Sequence, residues 1–343
     1  MNSAYESRGN PMSRELDDWL AQTPEVPLDP ELPICDPHHH LWEDRGNRIT
    51  PYLLDELRRD TSAGHRVVRT VFMECMSHYR TEGPEELRPV GETEFVREVA
   101  EESASDCKIE GIVGFADMTL GERAMAVLEA HIEAGGWRFK GIRHATGWDP
   151  NPTIGAYRNP PPGLLLDATF RRGIACLDRL GLSFDAQVYH HQLLEVASLA
   201  RAFPSLPIIL NHTGIPLGIG PYAGKREEVY RYWRDSMAEL VPCENIYVKV
   251  GGFGMASFGF GWHERKIPVG SEEFAAAIAP YVRTCIELFG PARCMFESNF
   301  PVDKAACSYV VLWNAFKRVT QGLSPSEKAD LFHDTAARAY RLV

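Results

Sequence analysis

The segment Asp36-Pro37-His38-His39-His40-Leu41-Trp42 places a carboxylate and three imidazoles within seven residues. Residues two apart on an extended chain point the same way, so His38 and His40 converge on one point. Neutral imidazoles are good ligands for zinc and other divalent ions. A triple histidine also fits a solvated loop. Here Pro33-Ile34-Cys35 precedes it and Leu41-Trp42 follows, so apolar residues border it on both sides. The pattern points to metal binding or catalysis at the end of a strand.

The elements that must position such a group can be read from periodicity. Short β-rich runs at Pro33–Pro37, Val67–Met73, Gly111–Ala116, Arg138–Ile142, Ser183–Val188, Pro207–Leu210, Asn245–Val250 and Arg293–Phe296 alternate with helix-period stretches such as Glu122–Ala134, Gln192–Phe203 and Glu272–Phe289. Strands separated by crossovers of helical length pair in parallel. Eight such units predict an α/β fold, a (β/α)8 TIM barrel over residues 31–343; an open doubly wound sheet is the alternative. Residues 1–30, polar and punctuated by Pro11, Pro24, Pro27 and Pro30, read as an N-terminal arm that wraps the barrel or stays mobile. Ser324-Pro325-Ser326-Glu327 has capping-box spacing, and the terminal helix it starts is expected on the barrel exterior in a purely structural role.

On this frame, further side chains fall at strand ends. Met295, Glu297 and Asn299 share one face, so Glu297 points into the barrel if Asn299 does. Beside histidines and a lysine it would serve as general base or anionic metal ligand; a structural ion pair is the other reading. Asp303, in the loop beyond Pro301, is the second candidate base. Arg143 ends the fourth strand and Lys249 lies in the seventh. They suggest an anionic or carbonyl-bearing substrate, or internal partners for Glu74 or Glu297, because an unpaired charge inside a barrel is too costly. His144 and Gln187 read as second-tier substrate contacts, and His190, His191 and His263 as loop residues. The glycine- and aromatic-rich run 251–263 lacks phosphate-loop spacing and reads as an active-site lid, with static loop packing as the other reading.

Composition bounds the rest. The 343 residues carry 36 basic and 47 acidic side chains, a net charge of −11. Such a surface repels phosphate backbones and anionic lipid, which argues against nucleic acid and membranes as partners. The N-terminus has no apolar signal core, and the eight scattered cysteines form no CxxC pair, so a cytoplasmic protein with reduced, buried thiols is expected. A homodimer stays open, since no interface pattern is present.

The Asp-x-His-x-His-x-Trp start is similar to that of the amidohydrolase superfamily, in the amidohydrolase-related branch that includes sugar-acid lactonases and 2-pyrone-4,6-dicarboxylate lactonase. Phe139-Lys140-Gly141-Ile142-Arg143-His144, Leu210-Asn211-His212-Thr213-Gly214, Val248-Lys249-Val250-Gly251-Gly252, Met295-Phe296-Glu297-Ser298-Asn299-Phe300-Pro301-Val302 and Asp334-Thr335-Ala336-Ala337-Arg338-Ala339-Tyr340 carry the resemblance across residues 33–343. It implies a distorted barrel with the site at the C-terminal strand ends. Its metal set would be His38, His40 and His212, with one zinc or manganese ion, or none. It implies hydrolysis of a small lactone, to which Arg143 and Lys249 add the expectation of a carboxylate. Non-oxidative decarboxylation of an aromatic or muconic acid, or ligand binding without turnover, are the alternatives. Asn299 stands where the branch has aspartate; an amide can orient water or a carbonyl but cannot accept a proton at neutral pH.

Overall fold

The computed structural model describes residues 11–103 and 108–342, so the first ten residues of the arm and Cys107 lie outside the described residues. Eight strands form one parallel sheet in chain order: β1 Ile34–His39, β2 Val67–Met73, β3 Ile109–Gly114, β4 Phe139–Arg143, β5 Ser183–Ala186, β6 Ile208–Leu210, β7 Ile246–Val250 and β8 Cys294–Phe296. Between them lie α2 Leu54–Thr61, α3 Val90–Glu102, α4 Ala124–Gly135, α5 Ala168–Arg179, α6 Leu193–Ala202, α7 Arg226–Ala238 and α8 Ser271–Phe289; α1 Pro11–Leu20 precedes the barrel and α9 Tyr309–Val319 follows β8. Parallel neighbours need such crossovers, and this alternation is the (β/α)8 barrel. The ring closes beyond β8, where His39 bridges Phe300, Asn299 N donates to His38 O and His40 N donates to Phe300 O. Closure therefore happens at the residues singled out for chemistry.

Strand alternation divides the core in two. Ile34, Phe72, Ile112, Ile142, Phe184, Ile208, Val248 and Phe296 face the helices in a large outer cluster. Cys35, Val71, Met73, Val113, Ile209 and Met295 face inward. Against that inner group pack Ala336, Ala339 and Tyr340 from the C-terminal segment, α10 Pro325–Ala329 and α11 Thr335–Ala339. The terminal segment therefore does not simply cover the barrel exterior. Its end enters the barrel floor, where the buried Tyr340 hydroxyl donates to Asp185 Oδ1 at 2.7 Å. The Ser324 capping box is formed as read from the sequence.

The aromatics of the loop after β7 follow the static-packing reading and not the lid. Phe253, Phe258 and Trp262 are buried, with Trp262 stacked on Phe274 at 4.2 Å, so its aromatics join the outer core instead of covering a substrate. Residues 19–29 lie along the barrel: Trp19 Nε1 donates to Arg265 O, Asn314 Nδ2 to Glu25 Oε2, and Lys317 Nζ to the carbonyls of Leu28 and Asp29. The seven described cysteines are buried and free. Among the described residues no helix is long and apolar enough to cross a membrane.

Candidate active site

The site assembles from strand ends on opposite sides of the barrel. β1 slips register between Asp36 and His39, and past the slip His38 and His40 turn to the interior while His39 points out to Thr70 and Phe72. The two inward rings lie 5.0 Å apart, and His38 lies 4.6 Å from His212. His212 leaves β6 in a left-handed conformation, φ 52°. Asp36 ties the first strand to the last: its buried carboxylate accepts from Ser298 N and the Tyr309 hydroxyl, and burial pushes it up to about 6.

Glu297 is completely buried and joins the histidines. Its Oε1 accepts from His212 Nδ1 at 2.7 Å and also from His212 N, and its Oε2 lies 2.7 Å from His38 Nδ1 without a hydrogen bond. A backbone without side chains allows this approach. A β-carbon on Gly251 would meet Glu297 Cγ at 2.3 Å, and one on Gly252 would meet His212 Nδ1 at 2.5 Å. His40 Nδ1 lies 2.9 Å from the Met73 carbonyl, which can only accept, so that nitrogen carries the proton and Nε2 is left as an acceptor. Burial, reinforced by neighbouring cations, holds His38 and His40 well below the usual imidazole range and keeps both neutral.

The cations find partners inside the protein. Arg143 donates to Glu74 Oε1 at 2.8 Å and to Glu74 O, with Nη1 3.3 Å from His38 Nε2; Arg158 pairs with Glu74 Oε2. Lys249 donates to Asp185 Oδ1 at 3.0 Å and lies 3.3 Å from His38 Nδ1. Asp185, which also accepts from Asn211 Nδ2, is the partner the sequence left unnamed.

A cavity of about 290 Å3 opens above this layer, lined among others by His40, Trp42, Arg143, Gln187, His212 and Asn299. Gln187 Oε1 is buried without a partner there. Three expectations change against this geometry. Lys249 is no rim residue: it sits a layer below the cavity, fully buried on Asp185. His144 faces outward, its Nδ1 accepting from Met118 N and its ring against Phe115 and Phe170, because it alternates with the inward Arg143. Asp303 lies behind Asn299, accepting from its Nδ2 at 2.8 Å and from Gly254 N, so it reaches the cavity only through the amide. Burial pushes Asp303 up to about 8. The cavity also takes in Arg45 and Tyr157, which sequence reading missed, and Met255, from the run read as a lid. They sit on loops, where no periodicity marks a facing direction.

The donor chemistry also suits a cation. Donor atoms of His38, His212 and Glu297 all lie within 4.8 Å of one another, and Glu297 Oε2 has no hydrogen bond to lose. His40, expected among the ligands, is outside that group. Two imidazoles and a carboxylate form a common set for zinc and related ions.

Known proteins place this geometry. An uncharacterized protein of Sinorhizobium fredii is 33% identical over 326 residues, spanning 91% of this chain and 99% of its own. An L-fucono-1,5-lactonase of Burkholderia multivorans is 26% identical over 256 residues, 73% of this chain and 77% of its own. A crystal structure of a Burkholderia multivorans amidohydrolase with bound zinc shares the fold, with TM-score 0.70 and 23% identity, covering 90% of this chain and 99% of that one. The amidohydrolase family model matches residues 35–342. With that match running from the first strand to the end of the barrel, the chain belongs to the amidohydrolase family and is a hydrolase.

Proposed function

We propose that this chain opens a small carboxylate-bearing lactone by attack of an activated water on the ring carbonyl. The observation that carries the reading is the Glu297–His212 contact beneath a small cavity, with His212 at the cavity wall. Kinship with lactonases supports a lactone as substrate, and the guanidinium groups at the cavity support its carboxylate. Glu297 Oε1 accepts the Nδ1 proton of His212, which leaves Nε2 as the cavity-facing acceptor, and the pair takes the proton of the attacking water. Asn299, with one N–H held by Asp303, and the unpartnered Gln187 Oε1 orient water and substrate hydroxyls. Arg143, kept in place by Glu74, provides positive charge where the oxyanion develops. A divalent ion held by His38, His212 and Glu297 would supply Lewis acidity and a more acidic water. Ion and proton compete for the same nitrogens, so metal content depends on pH.

The test is a panel of carboxylated lactones followed by proton release and product mass. Ring opening adds one water, and Glu297→Gln and His38→Ala each lower kcat by about 100-fold or more. Full activity in both variants overturns the assignment. Release of carbon dioxide from a panel of aromatic and muconic acids, or ligand-induced stabilisation without turnover, replaces it. Elemental analysis of tag-free protein before and after chelation shows whether zinc or manganese is resident. If it is, activity falls with metal loss and returns on adding the ion back.

A further inference from the structure

We infer that Arg45, on the loop after β1, selects the substrate by binding its anionic group at the cavity mouth. This rests on the lactone reading and adds where the carboxylate docks. Two guanidinium groups line the cavity, those of Arg143 and Arg45. Arg143 is matched by Glu74, which takes both its Nε–H and an Nη2–H. That edge of its fork is taken, and its Nη1 is directed at His38 Nε2, 3.3 Å away. Arg45 differs: among the described residues no carboxylate pairs with it.

The position of Arg45 is nevertheless built. Its backbone N–H donates to Thr50 Oγ1 at 3.0 Å, its Nη2 donates to the Cys75 carbonyl at 2.8 Å, and its guanidinium carbon lies 4.6 Å from the centre of the Trp42 ring. Trp42 is in turn stacked on His40 at 5.3 Å with the rings 8° from parallel. The fork is therefore ordered by an aromatic face and a carbonyl before any ligand arrives, with N–H groups left for an anion. A planar fork held this way binds a carboxylate through two parallel bonds at little further ordering cost. The stack continues to His40 at the cavity wall, so one end of the substrate is held while its ring carbonyl lies toward His212.

The test uses a matched pair, glucaro-1,4-lactone and glucono-1,4-lactone, which differ by a carboxylate against a hydroxymethyl group. The native chain prefers the carboxylated member in kcat/KM. Arg45→Met lowers that preference at least tenfold, and Arg45→Lys, keeping charge without the fork, retains part of it. A parallel arm measures binding of tetrahydrofuran-2-carboxylate and tetrahydrofurfuryl alcohol by calorimetry, since neither ring ether can be hydrolysed. Binding of the carboxylate by the native chain and its loss in Arg45→Met support the assignment even if no lactone turns over, in which case the lactone reading fails alone. The assignment to Arg45 is overturned if Arg45→Met leaves both preferences unchanged, if it weakens both members of each pair equally, or if the native chain binds neither ring ether.

Discussion

Gly252 holds a left-handed backbone, φ +71°, with its α-hydrogen facing His212. Gly252→Ala adds backbone strain of about 1 kcal/mol or more and drives a methyl into the imidazole, which loses its alignment with Glu297. Gly163, at φ +67° and with open space where a β-carbon would sit, provides the same strain away from the site. Both alanine variants are expected to lower the urea midpoint. Gly252→Ala is also expected to lose more than tenfold in kcat, while Gly163→Ala keeps it; equal kcat in the two would remove the steric account. Asp303 gives a pH signature at the same scale. Its folded value, about 8, lies above the ordinary 3.8, so from about pH 4 to 8 the folded chain holds a proton that the unfolded chain has released. This contribution makes stability fall as pH rises through that window. In Asp303→Asn the slope disappears, so the stability of the variant relative to the native chain improves from pH 5 to pH 8, as read from denaturation midpoints. An unchanged difference at the two pH values would contradict the raised value.

At the scale of elements, β1 and the C-terminal segment work from opposite ends of the barrel. β1 needs its slip between Asp36 and His39 to turn two histidines inward, and the parallel pairing beyond β8 fixes that slip. The C-terminal segment fills the floor with Ala336, Ala339 and Tyr340. Tyr340→Phe leaves Asp185 with Lys249 and Asn211 but removes a 2.7 Å bond in a fully buried setting. The expected loss is about 1–2 kcal/mol in chemical denaturation. The eight strands were legible because each is a short β-rich run followed by a helix-period crossover. β2 falls where it was read, while other ends moved by one or two residues, as at β3, read from Gly111 and observed from Ile109, because pairing with a neighbour sets where a strand starts. The terminal helix was misplaced, and the aromatic loop left between two readings, for another reason. Their apolar residues show that they bury, but periodicity does not say against which surface.

For the whole molecule, charge and anchoring decide behaviour. The whole chain carries a net charge of −11, while two guanidinium groups line the cavity, so an anionic substrate would meet local attraction inside global repulsion. Raising ionic strength screens the outer field more than the cavity, and the KM for a carboxylated lactone is expected to change only weakly between about 50 and 300 mM salt. The arm contributes through bonds to buried ends: removing residues 1–30 leaves Asn314 and Lys317 without their carbonyl and carboxylate partners. About 3–5 kcal/mol of stability is expected to go with them, measured by denaturation of the truncated chain.

The sequence by itself determined the alternation of strands and crossovers, hence the barrel, and the chemistry available at strand ends: His38, His40, His212, Glu297 and Arg143. His38, His40, Glu297 and Arg143 follow from local periodicity and residue type, which need no knowledge of distant neighbours; His212 follows from the family resemblance. Only the tertiary structure decided the partners: Glu297 with His38 and His212, Arg143 with Glu74, Lys249 with Asp185, and Asp303 behind Asn299. A buried charge takes whichever counter-charge ring closure brings within reach, and that depends on register and loop path across long stretches of chain.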